Sequence, residues 1–150
     1  MDASTPHAES HDLARFLTAQ TGVYEQALAE LARGRKQSHW MWFVFPQIAG
    51  LGFSAMSQRY AIGDADEARA YLAHPALGPR LRACFDATLA VDGRTAHDIF
   101  GSPDDLKLRS SATLFAAVSE PGSIFQRVLD KYFDGQPDVE TLRLLERSAR

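Results

Sequence analysis

Two adjacent carboxylates, Asp104 and Asp105, follow Ser102-Pro103, and Lys107 stands three residues after the first of them. Ser110 and Ser111 come within the next two turns, and on a helix Asp104, Lys107 and Ser111 fall at the i, i+3 and i+4 spacings that put side chains on one face. Acids beside a cation suit general acid–base work or the steadying of a developing positive charge, as the carboxylates of glycosidases do. Asp104 and Asp105 are therefore the candidate catalytic acids, with Asp98 behind them. The same residues have plainer readings: the acids complement a helix dipole, Lys107 is a solvated cation, and the two serines form a small packing face.

A second group of residues has the chemistry of ring stacking and anion binding. Trp40 and Trp42 offer ring faces for a base, yet on a helix they point about 200° apart, so one is core and the other faces ligand. His39 lies three residues before Trp42. Gln47 is placed to read a base edge or to tie a loop to backbone. Arg59 has the fork that clamps a phosphate or pairs with a structural carboxylate, and Tyr60 adjoins it. The basic run Arg33-Gly34-Arg35-Lys36 reads as a solvated turn. His7, His11, His74 and His97 show no chelating spacing, so neither a metal nor another cofactor is expected. Cys84, beside Leu81 and Phe85, reads as a buried, inert thiol.

The elements that must position these groups are helical. Leu13, Phe16 and Leu17, then Tyr24, Ala27, Leu28 and Leu31, recur at helical spacing and predict two antiparallel helices, the second closed by Gly34. Asp64 and Glu67 form a capping-box variant ahead of a helix to about Ala73, and His74-Pro75 separates it from a longer helix over Leu77 to Val91. Ser102 at N-cap and Pro103 at N1 start a helix to about Ala117. Ile124 to Phe133 supplies the next, and Asp138 begins a terminal one. The run Ser38 to Pro46 fits a strand or a short helix; helix is the expectation, because no partner strand is evident and an unpaired strand leaves backbone groups unsatisfied. The expected fold class is mainly α, a compact single-domain multi-helix bundle over 11–150, with 1–10 as a disordered lead-in.

Composition narrows the function classes. A chain of 150 residues that is 45% hydrophobic and 23% charged has the size and balance of one globular domain. Its longest apolar run, Trp40 to Phe45, is too short to cross a bilayer, and its start lacks the basic-then-apolar order of a secretory signal. One cysteine and a net charge of −3 fit a cytoplasmic protein without general affinity for duplex nucleic acid. Nothing in the composition sets the oligomeric state.

Four ordered blocks carry a resemblance: Ser38-His39-Trp40-Met41-Trp42-Phe43-Val44-Phe45-Pro46-Gln47, Gln58-Arg59-Tyr60-Ala61-Ile62, Ala70-Tyr71-Leu72-Ala73-His74-Pro75, and Ile99-Phe100-Gly101-Ser102-Pro103-Asp104-Asp105-Leu106-Lys107. They resemble domain-of-unknown-function family 1810, a family of small bacterial proteins, over about Leu13 to Leu145. That family looks like a distant branch of the YbiA-like superfamily, whose NADAR members hydrolyse N-glycosidic bonds in ribosylated pyrimidines or ADP-ribosylated guanine. The resemblance implies a YbiA-like helical fold and a nucleotide-like or ADP-ribose-derived ligand, acted on by an N-glycosidase or held by a non-catalytic binding or protein-interaction module. The NADAR pattern of an early glutamate followed by glutamine and lysine is not found at its usual spacing. The acids proposed above therefore come from this chain's own motifs.

Overall fold

The computed structural model of the chain describes residues 12–149; the segment read as a disordered lead-in, 1–10, lies outside the described residues. Ten helices follow in order: α1 (Ala14–Gln20), α2 (Tyr24–Ala32), α3 (Met41–Val44), α4 (Ala55–Arg59), α5 (Ala65–Ala73), α6 (Leu77–Ala90), α7 (Ala96–Phe100), α8 (Asp104–Ala117), α9 (Ile124–Phe133) and α10 (Val139–Ser148). The class is mainly α, as the periodicity requires. Among the described residues the only extended pairing is an isolated parallel bridge, Ile48 to Ile62, in which Ile62 N–H donates to Gln47 O and Ala49 N–H to Ile62 O, each at 2.8 Å. No helix among them is long and apolar enough to cross a membrane.

The two longest helices organise the rest. α6 packs on α2, α5 and α9, while α8 packs on α5, α7, α9 and α10. The main partner of α1 is α3 rather than α2, so the first two helices separate to opposite neighbours instead of forming the expected antiparallel pair. Their apolar stripes find larger complementary surfaces elsewhere: Phe16 meets Tyr71 edge-on at 5.1 Å, and Leu31 is fully buried. An aromatic chain runs through the core, Tyr71 to Phe115, Phe115 to Phe125, Phe125 to Phe85 and Phe85 to Phe45, with centroids 4.9–5.7 Å apart. Edge-to-face and tilted pairs add about 0.5–1.5 kcal/mol each beyond area burial.

Local signals set most helix ends. Asp64 caps α5 by accepting Glu67 N–H, but Glu67 reaches back to Gly63 N–H rather than to Asp64 and also takes an ion pair from Arg15. The apolar run 40–45 makes one helical turn, α3. Gln20 crosses to it, donating to Phe43 O at 2.8 Å and to Tyr71 Oη at 3.1 Å, while accepting from Arg80.

Candidate functional site

The start of α8 differs from the sequence expectation in one respect. Pro103 is the N-cap residue, not N1, and Ser102 caps nothing; the Ser102-Pro103 bond is cis. Gly101 O accepts Asp105 N–H, and Pro103 O accepts from Leu106 and Lys107, so backbone carbonyls occupy the role expected of the Ser102 hydroxyl. Asp104 and Asp105 lie in the first turn as expected.

Asp104 joins two cations. Its Oδ2 lies 2.9 Å from Lys36 Nζ, and its Oδ1 lies 3.4 Å from Lys107 Nζ. Lys36 comes from the turn after α2. Gly34 at φ +73° continues that helix's exit, with Gly34 N–H donating to Leu31 O and Arg35 N–H to Glu30 O, the paired bonds of a Schellman end. Lys36 N–H then donates to Ile99 O of α7 at 2.7 Å. The ammonium also donates to Ser38 O and sits 4.9 Å from the Trp40 ring centre. Lys107 Nζ lies 5.2 Å from the Trp42 ring centre, so it occupies one face of that indole. The result is a continuous row, Trp40, Lys36, Asp104, Lys107, Trp42. The side chain of Lys36 is 7% exposed and that of Lys107 22%, so the second cation is the one solvent reaches.

Behind this row sits Glu30, 1% exposed. Its carboxylate accepts Gln37 N–H, Ser38 N–H, Ser38 Oγ–H and Trp40 Nε1–H at 2.6–3.0 Å. Burial pushes Glu30 up, but these hydrogen bonds outweigh it and hold the pKa at about 2. One buried anion thus fixes the loop 37–40, and with it Lys36.

On the other side, Lys107 opens into a cleft of about 240 Å³ lined by Gln47, Leu51, Gly52, Ser57, Pro103, Leu106, Lys107, Ser110 and Asp138. Lys107 is the cation among these residues and belongs to both the cleft and the charged row. Asp138 spends Oδ2 on capping α10 at Thr141. The arrangement can receive an anionic group at Lys107 with a carboxylate, Asp104, directly behind it.

The model of the family described as "Protein of unknown function (DUF1810)" matches residues 10–145. The chain belongs to that family. Its structure is similar to the crystal structure of the conserved hypothetical protein Rv1873 from Mycobacterium tuberculosis, at 50% sequence identity and a TM-score of 0.89, covering 91% of this chain and 98% of that one. No curated protein matches it.

In this DUF1810 protein the sequence-derived candidates divide into three groups. Asp104, Lys107 and Trp42 meet, and Gln47 and Ser110 line the adjoining cleft. A second group is removed by burial. Trp40 is 0% exposed and donates to Glu30, so of the two tryptophans it is the core one. Tyr60 packs against Phe16 and Phe43, and Ser111 is fully buried with its Oγ unpartnered; neither is presented to a ligand. The third group is exposed but elsewhere: His39 lies on the loop before Trp40, Arg59 lies over the Tyr60 ring, and neither lines the cleft. Asp105 pairs with His97 at 3.4 Å, away from Lys107, and Asp98 forms the capping box of α7 with Thr95.

Lys36 and Glu30 stand outside the candidates that the sequence offers. The basic run reads as a solvated turn, which suits Arg33 and Arg35, both exposed, but not Lys36. The available signal for Glu30 was its position: a carboxylate three residues after Ala27, on the stripe that is otherwise apolar, needs buried partners. Cys84 is fully buried and its thiol is pushed up to about 12, which leaves it no nucleophilic thiolate.

Proposed function

We propose that the DUF1810 protein is an N-glycoside hydrolase of YbiA-like type, acting on a nucleotide or ADP-ribose-derived ligand held at Lys107. The observation that carries this reading is the Lys36–Asp104–Lys107 row, whose last member both lies over the Trp42 ring and lines a cleft. An anionic phosphate of the ligand meets the Lys107 ammonium, whose 3.4 Å contact with Asp104 is long enough to yield to a better partner. Asp104, still held in place by Lys36, faces the sugar and its carboxylate stabilises the ribosyl cation as the C1′–N bond breaks. Water adds its oxygen to C1′ and the departing base takes a proton, so the products are a free base and a ribose hydroxyl.

A second reading, a non-catalytic module for the same ligand, is favoured by one feature: both carboxylate oxygens of Asp104 already face ammonium groups, which leaves neither free to activate water. Incubation with NAD, ADP-ribose conjugates and ribosylated pyrimidines, followed by mass spectrometry of released base, separates the two. Release by the wild type that is lost in Asp104→Asn, with melting temperature held within a few degrees, supports hydrolysis. Saturable binding without release supports the module. Neither binding nor release defeats both.

A further inference from the structure

Trp42 is the obvious platform for a base, but Lys107 occupies one face of it and Trp42 does not line the cleft. The base must therefore find its apolar surface elsewhere. Four large hydrophobic side chains are exposed among the described residues: Phe53 at 84%, Val139 at 66%, Leu106 at 56% and Leu142 at 41%. Isolated exposed apolar residues are ordinary, but Leu106 lines the cleft, and Phe53 and Val139 stand next in sequence to two of its lining residues, Gly52 and Asp138.

These three come from separate elements: the loop before α4, the first turn of α8 and the first residue of α10. The Phe53 loop is held firmly. Gly50, at φ +103°, is packed so closely that a Cβ would come within 3.2 Å of Leu144 Cδ2. A Cβ on Gly52 would lie 2.6 Å from Ser57 Oγ, and Gln58 Nε2 donates to Phe53 O at 2.9 Å. A phenyl ring on a clamped backbone is displayed without the entropy cost of ordering a loose loop.

We infer that the aromatic base of the ligand sits on the apolar rim of Phe53, Leu106 and Val139, with its sugar-phosphate directed to Lys107, Ser110 and Gln47 in the cleft floor. The inference rests on the reading of this cleft as a nucleotide-like site and adds to it the ligand's orientation and the residues that select for a base. The size of the cleft agrees: about 240 Å³ is smaller than the roughly 300–1,000 Å³ of sites that enclose a whole drug-sized molecule, so part of the ligand must lie outside on the rim. Leu142 lies off this rim, beside a separate cleft with Ala116, Leu129 and Pro137.

Calorimetric titration of the full chain with AMP, CMP, nicotinamide mononucleotide and ribose 5-phosphate tests it. The expected result is that at least one nucleotide binds about ten-fold more tightly than ribose 5-phosphate, the order contributed by one stacked base. In the double variant Phe53→Ser, Leu106→Ser that nucleotide should fall to the ribose 5-phosphate level, with ribose 5-phosphate affinity and melting temperature unchanged. Equal binding of all four, or a nucleotide preference that survives the double substitution, overturns the rim as the base seat while leaving the phosphate site intact. Failure of all four to bind removes the nucleotide reading of the cleft itself, and the inference with it.

Discussion

The two lysines that flank Asp104 stand in opposite surroundings. Lys36 is closed in: its ammonium meets Asp104 at 2.9 Å and Ser38 O, and its loop is pinned by a buried Glu30 whose hydrogen bonds are nearly saturated. Lys107 is open: its contact with Asp104 is 3.4 Å, its ring contact is on one side, and its other neighbours line a cleft. A buried polar network with every partner in place makes one geometry and resists change, whereas a half-satisfied group at a cleft has interaction capacity left for a ligand. Position in the row, rather than residue type, separates the scaffold lysine from the site lysine.

The strongest way to break this comparison is to remove the anion behind Lys36. Glu30→Gln can keep an amide oxygen on the N–H groups of Gln37, Ser38 and Trp40, which share Oε1, but it sets an NH2 group against Ser38 Oγ and Gln26 Nε2 and removes the charge, so unfolding in urea should show a loss of about 1–3 kcal/mol. The pH dependence has the same origin. The folded-state pKa of Glu30, about 2, lies below its ordinary 4.5, so the carboxylate's contribution is complete above about pH 4.5 and is lost as pH falls toward 2. That window should cost the wild type about 3 kcal/mol relative to Glu30→Gln, which lacks the titrating group. Superimposable acid limbs for the two proteins would show that Glu30 does not anchor the loop.

Exchanging the cations sharpens the contrast. Lys36→Met should cost about 1–2 kcal/mol, because a partly buried Asp104 loses its closer partner, while Lys107→Met should cost under about 0.5 kcal/mol yet remove ligand binding. Chemical denaturation and titration of both variants measure the two effects. Equal stability losses would erase the distinction between them.

Smaller effects are expected deeper in the core. Cys84→Ala leaves a small void and should cost about 1 kcal/mol in urea unfolding with any turnover retained, since the thiol is buried and far from thiolate character. Ser111→Ala removes the one unpartnered buried hydroxyl found among the described residues, so the change should range from neutral to about 1 kcal/mol stabilising. A clear destabilisation by Ser111→Ala, read from thermal melts, would mean that this hydroxyl has a partner after all.

Much of the fold was legible in the chain because its signals act over short distances. Helical periodicity, the Gly34 exit, the Asp64 and Asp138 caps and the carboxylates opening α8 each depend on residues within about one turn of one another. Those features hold in the structure, and they carried Asp104 and Lys107 to neighbouring positions on one helix. The Ser102 cap failed because a nearby backbone carbonyl, Gly101 O, met the same need.

What the sequence by itself determined, then, is the helical class, most element boundaries and the pairing of Asp104 with Lys107 three residues on. The tertiary structure alone decided which tryptophan is core, that Lys36 leaves its exposed basic neighbours to reach Asp104, that Glu30 is an anchor, and that Gln47, Ser57, Lys107 and Asp138 line one cleft. The physical reason is range. Helix geometry is fixed by bonds between residues a few positions apart, whereas burial and charge pairing depend on which surfaces meet after the chain has folded back on itself. In this protein those surfaces come from α2, α4, α8 and α10, and no local pattern records that they converge.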